Sequence, residues 1–459
     1  MKKRLLAIIA TAAMIVTMIP AMVFADGANV AKIASTGAEY ATLQEAVNEA
    51  KDSDIITIIR DIEQQDGVLV TNKNITIDLN DKIFTVTEGA STNNRNFKID
   101  GDSVVTIKNG TMIAKGDYSS GAYGTVRTEG TAKVMLTDLK LYNYRGNGLN
   151  IKACGGTTVI ISDTEIYSQY GGGIESAGGT IELTNVKVEQ KGMYTAPYNS
   201  MAISVNGGGT VTVNSGTYST ECITAEEANG QGTSHGPWVV GVLNSGGKLI
   251  INGGTFSNDN FGENSLATAA RGAVLADTGA VIEINGGTFN ALKSIIDIQN
   301  NLGDASKNPT GTISGGTFSV DPTNDYIKLS EGYKFEDGEV ICTHDDIKTE
   351  SKDPTCTEDG YKDAGICKYC GEIVEPGEVI KATGHTYEDG KCTVCGENEP
   401  APTPDQSQTE SDPAEKPDTE ESEDAVDTGD NMNMTVPFAI AGLALAAMTA
   451  VVATRRREN

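Results

Sequence analysis

The chain has 459 residues, a formal net charge of -28 and a sequence pI near 4.4. An excess of carboxylates on this scale excludes nucleic acid and anionic membrane surfaces as partners held by charge, because both are polyanions. Glycine, at 52 residues, exceeds its ordinary usage of about 7%, and aromatic residues make up only 5%, a composition suited to a fold of many tight turns.

The chain opens on Lys2, Lys3 and Arg4, an apolar stretch from Leu5 to Val23, and the small-residue site Val23-Phe24-Ala25 ahead of Asp26. Residues 1–25 therefore read as a secretory signal peptide, with a retained membrane anchor as the alternative; the protein is exported on either reading. Residues 26–62 read as an N-terminal cap and first strand. From Tyr40 to Ala50 apolar residues recur at helical spacing, with Thr42 as N-cap and Glu45 three residues on, a capping box. The strand Ile55-Ile56-Thr57-Ile58-Ile59 follows.

Residues 63–340 repeat a short unit: apolar, any, apolar, polar, three more residues, then apolar. Val159-Ile160-Ile161-Ser162 with Ile166 and Ile282-Glu283-Ile284-Asn285 with Phe289 are examples. Units recur about every 29 residues, within the period range of solenoids and short of a propeller blade. Period two within the unit turns its first and third residues one way and its second the other. Stacked as coils, the units predict a buried column of Leu79, Ile107, Leu136, Ile161, Leu183, Val213, Ile251, Ile284 and Ile313, and a second of Phe256, Phe289 and Phe318. The next position is Asn80, Thr137, Ser162, Thr184, Asn214, Asn252, Asn285 or Ser314, with Lys108 the exception. Such a column can hydrogen-bond from coil to coil and satisfy a buried turn. A second strand precedes each unit and glycine pairs such as Gly207-Gly208 join the two. The predicted fold is all-β, a parallel β-helix of two or three strands per coil.

The cap helix and strand resemble the N-terminal cap of pectate-lyase-like right-handed β-helices. The Gly-Gly-Thr-Phe repeats (Gly253 to Phe256, Gly286 to Phe289, Gly315 to Phe318) resemble those of Firmicutes surface proteins. That fold hosts lyases, hydrolases and adhesins alike, so the resemblance implies architecture more than activity. The clustered Asp residues of the lyases and the Gly-His-Gly and Arg-x-Lys motifs of the polygalacturonases are not found. The longest coil, Tyr218 to Phe256, carries His235 and the single Trp238, with Tyr194 and Tyr198 in the coil before it. Exposed aromatics stack on sugar faces, which makes these four residues the ligand-binding candidates of the sequence, against the plainer reading of loop residues packed on the coils.

Residues 341–397 hold eight potential metal ligands, Cys342, His344, Cys356, Cys367, Cys370, His385, Cys392 and Cys395, including two Cys-x-x-Cys-Gly knuckles. Eight ligands suffice for two structural zinc sites. Disulfides are the alternative for exported cysteines. Histidine at ligand spacing in both halves argues for metal. The spacing resembles short Cys/His repeats of Firmicutes surface proteins, which would group His344, Cys356, Cys367 and Cys370 and leave His385, Cys392 and Cys395 with Cys342. A ribbon built on both knuckles is the other grouping. Cys154 and Cys222, in the repeat region, read as buried thiols.

Residues 398–430 combine Pro, Ser and Thr with many carboxylates against the single Lys416, a disordered linker by composition. Met434 to Thr454 is apolar and long enough for a transmembrane helix, and Arg455, Arg456 and Arg457 follow. With Ala425-Val426-Asp427-Thr428-Gly429 ahead of it, residues 431–459 resemble a sortase cell-wall sorting signal, although Val426 stands where that family usually has Pro. The resemblance implies cleavage between Thr428 and Gly429 and attachment of Thr428 to peptidoglycan; a plain membrane anchor is the alternative. The expected function is that of a surface-anchored, adhesin-like binding or structural protein facing glycans or a host surface. A secreted polysaccharide lyase or glycoside hydrolase is the alternative.

Overall fold

Thr42 starts the helix Leu43–Glu49 by reciprocal capping: its hydroxyl accepts from the Glu45 N–H at 3.1 Å, and the Glu45 carboxylate accepts from the Thr42 N–H at 3.1 Å. The buried Leu43, Ala46 and Val47 lie over the first strands. One of these, Ala31–Ile33, runs antiparallel to Asp54–Ile58 and begins a large sheet. The computed structural model describes residues 29–400 except 88–94, 116–123, 145–149, 170, 192–200, 222–237, 244–245, 261–271, 292–293, 300–302 and 304. The expected signal peptide, acidic linker, Thr428-Gly429 motif and C-terminal transmembrane helix lie outside the described residues, as do Tyr194, Tyr198, Cys222 and His235. No helix among the described residues is long and apolar enough to cross a membrane.

From Val68 onward the chain alternates between two sheets. Among the described residues one has nine strands, Val68–Thr71 first and Ile296–Ile298 last, and all of its neighbours are parallel. The other has 21 strands among the described residues and is parallel except at its two ends. Each coil thus places one strand in the small sheet and one bent strand, or two short ones, in the large sheet. This long parallel pairing is consistent with a β-helix.

The bend changes its chemistry along the stack. In Val104–Ala114, Lys133–Asn143, Thr158–Ser168 and Thr180–Lys191 it falls at Asn109, Asp138, Asp163 and Asn185, whose φ values are 58°, 53°, 48° and 52°. Asn and Asp tolerate this left-handed region through local hydrogen bonding. Later coils break the strand and use glycine: Gly216 has φ 127°, and a Cβ there would stand 2.0 Å from the Val186 carbonyl oxygen. The Gly-Gly-Thr-Phe repeat follows from this geometry, with glycine at the bend, threonine outward and phenylalanine inward.

The predicted aliphatic column is present, with one register correction. Ile107 pairs with Ile77 rather than Leu79, and Leu136, Ile161, Leu183, Val213, Ile251, Ile284 and Ile313 continue it, all buried. Leu79 is buried two residues further on, beside the left-handed pair Asn80 and Asp81, where two extra residues lengthen the spacing to Phe84. The shift also explains Lys108. Its register partner is Asp78, with the ammonium 3.6 Å from the carboxylate.

The polar column forms a hydrogen-bonded ladder: Ser314 donates to Asn285 at 3.0 Å, Asn285 to Asn252 at 2.9 Å, Asn252 to Asn214 at 3.0 Å and Asn214 to Thr184 at 3.2 Å. It runs along the surface, not through a buried turn, because each member directly follows an inward aliphatic residue and so faces outward. Inside, Tyr218, Phe256, Phe289 and Phe318 stack with centroids 5.0, 4.8 and 5.0 Å apart. At the last coil Glu339–Cys342 pairs antiparallel with both Gly316–Phe318 and Tyr333–Glu336, covering an edge that would otherwise be open.

Phe289→Ala is expected to cost about 3–5 kcal/mol in denaturant unfolding, the usual range for emptying a buried aromatic site. Asn252→Ala should cost about 0.5–1.5 kcal/mol, the net worth of one or two exposed hydrogen bonds. Equal losses would contradict the assignment of the ring stack to the core and the ladder to the surface.

Candidate metal centre

Residues up to His385 form one compact unit and those from Thr386 a second. In the first, the chain leaves Cys342 at the end of Glu339–Cys342, and the Thr343 N–H donates to the Gly332 carbonyl at 2.8 Å. It reverses at His344, which has φ 57°, and enters Ile347–Lys352. That strand is antiparallel to Gly360–Cys367, with Ile347 opposite Cys367. The knuckle after Cys367 closes through the Gly371 N–H donating to the Cys367 carbonyl at 2.9 Å, with Gly371 at φ 76°.

These constraints bring three ligand atoms together and set the Cys367 sulfur beside one of them. The sulfurs of Cys342 and Cys367 are 3.5 Å apart, and Cys370 Sγ lies 3.9 Å from His344 Nε2. The ligand atoms of Cys342, His344 and Cys370 all lie within 4.8 Å of one another. Ligands placed about 2.0–2.3 Å from one ion in tetrahedral array stand about 3.5–4 Å from each other, so the cluster has the size of a metal site. Cys367 is buried, Cys342 and His344 are half-buried and Cys370 is exposed. His344 Nε2 also lies 3.5 Å from a Glu372 carboxylate oxygen, a neighbour that the residue pattern alone did not single out.

Thiol ionisation is unevenly set. Burial, reinforced by the facing Cys367 and Cys370 and partly offset by the His344 backbone N–H, pushes Cys342 up to about 11. Burial also opposes ionisation of Cys367, but the N–H groups of Cys370 and Tyr369 outweigh it and hold this thiol below its ordinary value. Three sulfurs at this spacing cannot all ionise without a cation, and a bound cation would favour the thiolates that coordinate it.

The grouping implied by the repeat resemblance is corrected. Cys342, not Cys356, lies with His344 and Cys370, and its sulfur faces that of Cys367. The reason is the hairpin: Cys342 and His344 arrive at the end that carries Cys367, whereas Cys356 lies in the connection at its far end. There the Gly384 N–H donates to the Cys356 carbonyl at 3.1 Å, and the Cys356 and His385 ligand atoms come within 4.8 Å.

In the second unit, Tyr387–Glu388 and Lys391–Cys392 form a small hairpin, and the Cys392 and Cys395 sulfurs lie within 4.8 Å. This knuckle repeats the geometry of the first. The Gly396 N–H donates to the Cys392 carbonyl at 2.9 Å, the Cys392 N–H to the Glu397 carbonyl at 2.7 Å, and Gly396 has φ 75°. No disulfide joins any of the seven described cysteines. Cys154, expected to be buried, is half-buried.

The sugar-stacking expectation for Trp238 is overturned by burial. Trp238 is 0% exposed and packs with Met201, Leu275 and Leu243 in a small apolar cluster apart from the main core. Its indole N–H donates to Asp297 Oδ2 at 2.8 Å, and the same oxygen accepts from the Gly272 N–H at 2.8 Å. An indole so enclosed has no face to offer a ligand. An open groove lined by Gly254, Thr255, Gly287, Thr288, Gly316 and Glu339 runs along the Gly-Gly-Thr-Phe coils. It presents main chain and hydroxyls with one carboxylate, no pair of acid and base.

No family model matches the chain, and no curated protein and no solved structure matches it.

Chelation of bound metal, or Cys342→Ser, is expected to raise amide hydrogen exchange in Gly316–Phe318 and Glu339–Cys342 while leaving Thr158–Ser168 protected. Exchange unchanged at the last coil would show that the cluster does not hold it. Trp238→Ala should lower unfolding free energy by about 3–5 kcal/mol, as for other buried aromatics; full stability in the variant would refute its structural role.

Proposed function

We propose that the protein is an exported, surface-anchored right-handed parallel β-helix of the pectate-lyase-like type. In this reading it binds glycans as an adhesin-like surface protein, and its C-terminal Cys/His ligands hold two structural zinc ions. The observation that carries the zinc reading is the set Cys342, His344, Cys367 and Cys370, gathered where the last coil ends. Three thiols and an imidazole suit zinc better than hard, oxygen-seeking cations. Four protein ligands close the site to water, so the role is structural.

Outward columns of like residues in register favour recognition of a repeating polymer. The sequence at the two ends supports display: a signal peptide at residues 1–25, and Thr428 joined to peptidoglycan after cleavage before Gly429, or the apolar segment retained in the membrane.

Elemental analysis of the purified chain should find two zinc ions per molecule. Metal-free protein with its cysteines oxidised to disulfides would refute the zinc reading. On a glycan array the protein should bind without depolymerising its ligand. Release of unsaturated or reducing sugar ends from polysaccharide would replace the adhesin reading with that of an enzyme.

A further inference from the structure

The outer face of the large sheet carries a cluster of aromatic rings in its middle coils. Tyr142 and Tyr167 are direct register partners in Lys133–Asn143 and Thr158–Ser168, and Tyr144 follows two residues after Tyr142. The ring centroids of Tyr142 and Tyr144 are 6.1 Å apart with planes 2° from parallel; those of Tyr142 and Tyr167 are 6.2 Å apart, and those of Tyr144 and Tyr167 5.8 Å. All three side chains are half-buried. The adjoining outward column is Lys140, Glu165 and Lys187 in register, and Glu189 is the register partner of Tyr167. These four charged residues are exposed, and Lys187 Nζ lies 2.8 Å from a Glu189 carboxylate oxygen.

We propose that this face, with Tyr142, Tyr144 and Tyr167 as its platform, is the glycan-contact site and takes a neutral hexopyranose chain. The inference rests on the glycan-binding reading given above and supplies the site that Trp238 cannot. Tyrosine rings that pack one edge against the coils have few rotamers left to lose, so a ligand meets a platform already ordered. Their faces suit the apolar C–H face of a pyranose ring. The Tyr142 and Tyr144 phenols remain protonated at neutral pH: burial, with Tyr167 and Tyr142 nearby, pushes Tyr144 up to about 12, and burial, with Glu165 and Glu189 nearby, raises Tyr142. Each phenol can then both donate to and accept from sugar hydroxyls, while the flanking carboxylates accept and the ammonium groups donate.

Charge selects the class of glycan. Lys140 and Lys187 balance Glu165 and Glu189, so the patch carries no net charge to attract a uronate, and a chain at -28 overall repels polyanions. A neutral glycan suffers no such penalty.

The test uses the mature protein released from the cell envelope, with soluble neutral β-glucan, mannan and galactan as probes and polygalacturonate as the anionic comparison. Binding to at least one neutral probe, insensitive to salt, is expected. Tyr142→Ala with Tyr144→Ala should weaken it at least tenfold, and Tyr142→Phe should restore most of the single-site loss. Nitration of the wild-type tyrosines gives a readout that needs no variant: bound glycan should shield Tyr142, Tyr144 or Tyr167. Binding that persists undiminished in the double variant, with no shielding, overturns the site and leaves the glycan reading intact. Preference for polygalacturonate overturns the neutral class. Failure to bind any glycan overturns both the site and the functional reading beneath it.

Discussion

Parallel pairing of each coil with the next is the constraint from which the rest of the structure follows. Backbone N–H and C=O groups find partners one coil away, so side chains must repeat in register wherever the sheet is continuous. An inward position that is aliphatic in one coil is aliphatic in the next, which is why Ile107, Leu136, Ile161 and Leu183 face one another without exposure. Outward positions obey the same register with other chemistry. Asn214, Asn252 and Asn285 hydrogen-bond in file, and Tyr142 meets Tyr167.

A stack satisfied by its neighbours is unsatisfied at both ends, and the chain treats the two ends differently. At the start, the helix Leu43–Glu49 and the antiparallel strand Ala31–Ile33 cover the first coil with ordinary packing. At the finish, the covering strand Glu339–Cys342 is short and delivers a sulfur into the Cys/His cluster. Closure of the last edge and assembly of that cluster therefore draw on the same few residues. In a fold where each repeat leans only on those beside it, the ends govern where fraying begins.

Much of this was legible in the residues. Period two, the recurrence of coils and the capping box at Thr42 each have a local cause, and each appears as expected. The misplacement of Leu79 also has a local cause. The left-handed Asn80 and Asp81 insert into the unit, and apolar pattern alone cannot distinguish Ile77 from Leu79. What spacing could not provide was contact between distant segments. The pairing of Cys342 with Cys367 depends on the hairpin register at Ile347, and the burial of Trp238 depends on Asp297, 59 residues away. The tyrosine cluster lay in plain view in two neighbouring units, but its meaning emerges only when register brings the rings side by side.

The seclusion of Trp238 gives the molecule an internal optical probe. It is the single indole of the chain, held dry beside Met201 and Leu275 and bonded to Asp297 in the last strand of the smaller sheet, so its emission belongs to the later coils. A red shift in that emission would register wetting of those coils specifically, distinguishing a melt that enters from the later coils from one that enters at the helix-capped start.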